Sequence, residues 1–192
     1  MKLELEGQTI LLPSPILIIG TYGPDGQPNI MNAAWGGVAS SNPLCVNVSI
    51  RPTRQTYQNI RTNKAFTVNI PSEKYVSEAD YAGIVSGKKT NKFTDTGLTP
   101  VKSNKVNAPF VQEFPYALEC KLFKEIDLGA HTMFIGEVVG MVADNEVLGA
   151  KKLPDIEKVR PMIYGGFGSS AYYGLGTKLD DAFSAGKKFQ KE

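Results

Sequence analysis

The chain reads as a mainly β, α+β protein: an antiparallel barrel flanked by short helices. Three observations predict this. About seven runs have strand character, either alternating or continuously apolar and β-branched. Most of the links between them are short and carry turn residues, as hairpins do. The helix-like runs are few and short, so they do not supply the regular crossovers of a doubly wound parallel sheet.

The elements follow in order. Residues 15–21 are apolar and β-branched, Pro24-Asp25-Gly26 has turn chemistry, and Asn29 to Trp35 reads as the returning strand. In Leu44 to Ile50 the alternation puts Leu44, Val46, Val48 and Ile50 on one face and Cys45, Asn47 and Ser49 on the other. A strand with a polar second face suits the wall of a site. Pro52 stops it, and Thr53 to Thr62 reads as a short helix with Tyr57 and Ile60 on one side. Ala65 to Ile70 is the next strand. Ser72 or Ser77 is placed to cap a helix running to about Ser86, with Gly87 just past its end. Residues 88–109, rich in Lys, Asn and Thr, read as a long loop. Tyr116 to Ile126 and His131 to Ala143 are long strands joined through Asp127-Leu128-Gly129-Ala130, and Val159 to Tyr164 is a last short strand. Residues 165–176 are dense in glycine and aromatics, and 178–192 read as a terminal helix or a loose tail. The expected organisation is a single domain over 1–192, with 165–192 as a C-terminal extension.

At 192 residues, 42% hydrophobic and 21% charged, the chain suits one soluble domain able to bury its own core. A net charge of +2 argues against a nucleic-acid module, which would also need aromatics interleaved with basic residues. Met1 to Gly7 carries acids where a secretory signal needs an apolar run, and no segment approaches a membrane span of about 20 apolar residues. The expectation is a cytoplasmic protein with no membrane partner. Cys45 and Cys120 sit in apolar runs without metal-site spacing and read as buried small hydrophobes.

Nucleotide and hydrolase motifs do not account for the chain. Gly83-Ile84-Val85-Ser86-Gly87-Lys88 imitates a P-loop with glycines one residue too close, and it follows a helix where a P-loop precedes one. The one histidine, His131, has no nucleophile elbow to serve. Two adjoining segments do carry chemistry. In Asn29, Met31, Asn32, Ala33, Ala34 and Trp35, two amides donate and accept at once, the alanines admit a flat ring close to the backbone, and the tryptophan offers an aromatic wall. In Ser49, Ile50, Arg51, Arg54 and Thr56, hydroxyls and arginines gather where a strand hands over to a helix, which is the chemistry of a phosphate site. Lys89, Lys92 and Phe93 form a further basic patch with an aromatic.

These segments, with Tyr81-Ala82, the Gly129 to Val138 hairpin and Tyr172 to Leu179, resemble the flavin reductase-like, FMN-binding split-barrel family and its flavoredoxin group. The resemblance implies a six-stranded antiparallel Greek-key split barrel with FMN at its rim, and a homodimer. It also implies electrons arriving from NAD(P)H or from a redox protein. The activity it implies is that of a flavin reductase-like oxidoreductase, the alternative being an electron carrier without turnover of its own. His131 would stand beside the flavin as a candidate catalytic residue, and Ala130 occupies a position where many relatives carry an acid. Thus the expected flavin contacts are Asn29, Met31 to Trp35, Ser49 to Arg51, Arg54, Thr56, Lys89, Lys92 and Phe93.

Overall fold

The structure, a computed structural model, describes residues 1–190. The elements are β1 Ser14–Pro15, β2 Leu17–Tyr22, β3 Pro28–Ala33, β4 Gly36–Ser41, β5 Leu44–Ile50, α1 Gln55–Asn63, β6 Ala65–Ile70, α2 Val76–Ile84 and α3 Lys92–Thr96. They continue with β7 Pro100–Lys102, β8 Pro109–Val111, β9 Tyr116–Asp127, β10 Thr132–Ala143, α4 Ile156–Val159, β11 Ile163–Tyr164, α5 Gly166–Ser169 and β12 Tyr172–Tyr173. Seven strands form one antiparallel sheet in the order β3-β2-β6-β9-β10-β5-β4. The sheet curls until β3 meets β5, and side chains from β2, β3, β5, β6, β9 and β10 share one core. The mainly β antiparallel class is as expected, with one strand more than the expected six. The addition is β4, an edge strand of glycine, serine and alanine around Val38, whose composition carries almost no strand signal. The expected strand over Asn29 to Trp35 accordingly ends at Ala33.

Strand β2 is buried on both faces, as its unbroken apolar run requires. Leu17 and Ile19 face the barrel core, whereas Ile18 joins Ile16, Ile30, Ala79, Ala82 and Phe93 in a second core under α2 and α3. In β5, Val46, Val48 and Ile50 are buried and Asn47 and Ser49 half-buried, as the alternation predicts. Leu44 departs from it, being exposed where the strand begins, and Cys45 is buried on the opposite side. Helix α1 closes the barrel by inserting Ile60, and Tyr57 packs edge-on against Phe134 at 5.4 Å. Gly136 lies where Phe66 fills the barrel: a Cβ there would meet the Phe66 ring and Cys120 Cβ at less than 3 Å. Cys120 and Cys45 are both buried, and burial pushes the Cys120 thiol up to about 12.

The expected loop over 88–109 contains α3 and β7, the first arm of the small β7–β8 hairpin. Local polar chemistry makes α3: Asn91 Oδ1 accepts the backbone N–H groups of Phe93 and Thr94, and Gly97 ends the helix in the left-handed region. The hairpin is held by a buried amide. Asn69 donates to Ile18 O and Thr67 Oγ1 and accepts from Val111 N, each within 2.9 Å. Residues 159–164 begin in α4 and leave only Ile163–Tyr164 as strand, which pairs with β1 on one side and β12 on the other. Residues 176–190 are exposed, with one 3-10 turn at Ala185–Phe189. Lys191 and Glu192, the end of the expected extension, lie outside the described residues. No helix among the described residues is long and apolar enough to cross a membrane.

Candidate functional site: a ring cleft joined to a cationic crevice

Where β3 and β5 end, a cleft of about 410 Å3 opens at the barrel rim. Met31, Asn32 and Ala33 enter it from β3, Ala34 and Trp35 from the link to β4, and Ser49 from β5. The link is held in place by Ser49 N–H donating to Trp35 O at 2.8 Å. Arg51, Arg54, His131, Tyr164 and Phe167 complete the lining.

His131 sits just before β10, positioned by the expected turn, in which Asp127 Oδ1 accepts from Gly129 N and Leu128 N–H donates to His131 O. Its ring lies 4.6 Å from that of Trp35. Arg51 Nε donates to His131 Nε2 at 3.4 Å. An arginine has no acceptor, so Nε2 carries the lone pair and Nδ1 the proton. Burial, and then the Arg51 charge, hold the imidazole below its ordinary value and favour the neutral ring.

Asn32 donates from Nδ2 to Ala79 O at 3.0 Å, but its Oδ1 is buried without a partner. A buried acceptor left unpaired costs about 1–3 kcal/mol. Asn32 lines the cleft, and this oxygen is left without a donor.

Met31 and Arg54 also line a separate narrow crevice, with Asn29, Gln55, Thr56, Val85, Ser86, Gly87 and Lys92. Here α1 begins, with no side-chain cap and no acid in its first turn, so its free backbone N–H groups keep their positive end. Asn29 Nδ2 donates to Thr56 Oγ1 at 3.0 Å, which leaves the Thr56 hydroxyl proton to donate elsewhere. Lys92 is 3% exposed, and its ammonium donates to Ile30 O at 2.8 Å and Ala82 O at 2.6 Å. Three donors leave one for the crevice. Burial and then the neighbouring Arg54 charge lower Lys92 to about 8. Two cations, a hydroxyl and a helix N-terminus converge with no carboxylate in the lining. That set suits a phosphate.

The expected contacts therefore separate. Met31 to Trp35, Ser49, Arg51, Arg54 and His131 come together at the ring cleft, and Asn29, Thr56 and Lys92 join Arg54 at the crevice. Ile50 directs its side chain into the barrel core. Phe93 is 3% exposed in the second core, so α3 spends its aromatic on packing against Ala79 and Ala82. Lys89 is exposed and lines neither cavity. Sequence reasoning missed Tyr164 and Phe167 as cleft walls; the glycine-aromatic density of that segment was the available signal. Tyr164 packs against Phe167 and Tyr172, and the Tyr172 hydroxyl donates to Asp80 Oδ1 at 2.7 Å, tying the segment to α2. A larger cleft of about 900 Å3 lies beside Arg160, but that cation is already paired with Glu73 at 2.6 Å. No cluster of metal-ligating side chains occurs among the described residues.

Residues 9–169 match the model of the flavin reductase-like domain. The chain belongs to the flavin reductase-like domain family. A flavoredoxin of Desulfovibrio vulgaris (Miyazaki F) superposes with a TM-score of 0.92 at 47% identity, covering 97% of this chain and 100% of that one. An uncharacterized protein of Pyrococcus abyssi is 32% identical over 74% of this chain and 81% of its own length. A ferric-chelate reductase (NAD(P)H) of Archaeoglobus fulgidus is 28% identical over 57% of this chain and 65% of its own length. The first curated relatives are matched over 62% to 87% of their lengths. In this flavin reductase-like domain the residues fit a flavin. Asn32 Oδ1 is left without a donor, and the carboxylate-free crevice, which shares Met31 and Arg54 with the cleft, suits an anion.

Proposed function

We propose that the protein is an FMN-dependent oxidoreductase passing electrons from NAD(P)H to an acceptor. The observation that carries this reading is an aromatic-walled cleft that shares Met31 and Arg54 with a cationic crevice free of carboxylates. Flavin, when bound, supplies the chemistry of hydride acceptance and single-electron transfer. Arg54, Lys92 and Thr56 bind the phosphate. Asn32 Oδ1 accepts from a ring or ribityl donor. Trp35, Tyr164 and Phe167 flank the ring and exclude water. The 47% identity to a flavoredoxin, together with the likeness to a ferric-chelate reductase (NAD(P)H), supports the redox reading. The former also favours a second reading, an electron carrier between redox proteins. Purified protein reconstituted with excess FMN is expected to stay yellow through desalting, and failure to retain either FMN or FAD would sink the proposal. Stopped-flow mixing with NADH and NADPH then separates the enzyme from the carrier, which would be reduced only by a protein donor.

His131 is expected to present a neutral ring with its proton on Nδ1, because Nε2 accepts from Arg51 Nε. His131→Asn should slow reduction by NAD(P)H about tenfold, equivalent to ~1.4 kcal/mol, with FMN affinity nearly unchanged. Because the folded-state pKa is depressed, the linked stability is present above the unfolded value of about 6.5 and is lost as pH falls through the lower folded value. An imidazole titration by NMR checks the direction. A midpoint above that of an unstructured peptide, or an unchanged reduction rate in the variant, returns His131 to closing the hairpin.

The protein is also proposed to be a homodimer. Val38 is 77% exposed on the edge strand, and Leu179 and Phe183 are exposed in the C-terminal segment, leaving apolar surface that a second copy can cover. Sedimentation at micromolar concentration should give twice the chain mass of 20.9 kDa, whereas a single-chain mass would refute the assembly.

A further inference from the structure

Tyr164 and Phe167 line the ring cleft from a segment with little backbone support. Strands β11 and β12 are two residues each, and α5 is four. Two strand pairs with β1, Ser14–Tyr164 and Pro15–Ile163, join the segment to earlier chain. Tyr164 and Tyr172 rest on the second core. Several bonds are internal: Gly165 N–H donates to Ala171 O, Ser170 N–H to Gly166 O and Ser169 Oγ to Gly165 O. Gly166 takes a positive φ of 68° at the start of α5, a conformation that a side chain would strain. Among the described residues, one side-chain hydrogen bond leaves residues 163–173, and it runs from the Tyr172 hydroxyl to Asp80 Oδ1.

We propose that Asp80 and Tyr172 are positioning residues: their hydrogen bond latches residues 163–173 against α2 and sets how closely Tyr164 and Phe167 shield the occupant of the ring cleft. The inference rests on the flavin reading of that cleft. Tyr172 is the cross-strand partner of Tyr164, with ring centroids 6.0 Å apart, and Tyr164 meets Phe167 edge-on at 6.3 Å. A restraint on Tyr172 is therefore a restraint on both cleft residues. Asp80 forms no ion pair and no other side-chain hydrogen bond among the described residues, so its carboxylate is committed to this phenol. A neutral donor on a carboxylate makes a charge-assisted bond, one of the stronger kinds. Burial, and then the bond and charge of Asp80, hold the phenol well above its ordinary value, so it stays a donor. The preceding residue of α2 also fixes the cleft, because Ala79 O accepts from Asn32 Nδ2 at 3.0 Å and Asn32 lines the cleft. Two adjacent residues of one helix thus hold two parts of the lining. Neither Asp80 nor Tyr172 lines the cleft or the crevice, so both act through Tyr164 and Phe167.

The test compares wild type with Tyr172→Phe, Asp80→Ala, Asp80→Asn and the double variant Tyr172→Phe/Asp80→Ala. Tyr172→Phe keeps the ring and its packing, and Asp80→Asn keeps an oxygen able to accept. In apo-protein, hydrogen exchange of the 163–173 amides is expected to quicken about tenfold in Tyr172→Phe and in Asp80→Ala, as loss of one charge-assisted bond requires, with the barrel strands unchanged. The double variant should exchange no faster than either single one, because each removes the same bond. Asp80→Asn should fall between wild type and Asp80→Ala. At saturating FMN, the solvent-perturbation absorption difference of the bound flavin should rise toward that of free FMN in Tyr172→Phe and Asp80→Ala. Wild-type exchange in both single variants overturns the proposal. So does faster exchange spread over the whole barrel, an additive effect in the double variant, or a loosened segment with the flavin no more exposed. In each of these cases wild-type FMN binding leaves the flavin reading standing, whereas wild-type protein that binds no FMN defeats that reading and this inference with it.

Discussion

Arg54→Ala is expected to weaken FMN binding about ten- to a hundredfold, as loss of a charge-assisted bond of about 1.5–3 kcal/mol requires. Riboflavin, which has no phosphate, should bind the variant nearly as well as wild type. The expectation falls on Arg54 rather than Arg51 because Arg54 lines both the ring cleft and the crevice, while Arg51 is engaged with His131. Arg51→Ala is thus the control. The same geometry predicts a pH dependence. Lys92 in the protein alone loses its proton at about 8, driven down by burial and by Arg54. A bound phosphate favours the protonated ammonium, so FMN affinity should fall as pH rises above about 8, while riboflavin affinity stays flat. Isothermal titration of both ligands between neutral and alkaline pH measures this directly. Equal losses for FMN and riboflavin in Arg54→Ala would show that the side chain acts through packing.

Phe66→Ala is expected to destabilise the protein by about 3–5 kcal/mol, the range for removing a large aromatic from a closed core. Phe66 is fully buried, and Gly136 and Cys120 leave it room on two neighbouring strands. Strands β6 and β10 flank β9 in the sheet, so a void at this point loosens the contacts between three strands at once. Urea unfolding should show the midpoint fall with little change in slope. A loss below about 1 kcal/mol would mean that the barrel collapses around the gap and that its core is less tightly specified than the burial indicates. Because Phe66 lines neither the ring cleft nor the crevice, FMN affinity of the remaining folded protein should stay near wild type.

What could be read in the chain itself was set by short-range chemistry. The unbroken apolar run of β2 required burial on both faces, and the alternation in Val46, Val48 and Ile50 required one. Asp127 and Gly129 specified a turn that leaves His131 at the rim, and Arg54 and Thr56 marked a helix start suited to a phosphate. Other features depend on distant partners. Glycine-rich β4 is a strand because β5 offers it an open edge, a fact absent from its own residues. The polar stretch after Gly87 gave no sign that Phe93 enters the second core or that Lys92 is sealed between Ile30 O and Ala82 O. Tyr164 and Phe167 wall the cleft because β11 pairs with β1 at the other end of the chain. Residue types and spacing thus determined which groups were available for flavin chemistry. Tertiary packing decided which of them meet, because burial and long-range strand pairing set where a side chain points, and neither is a local property of sequence.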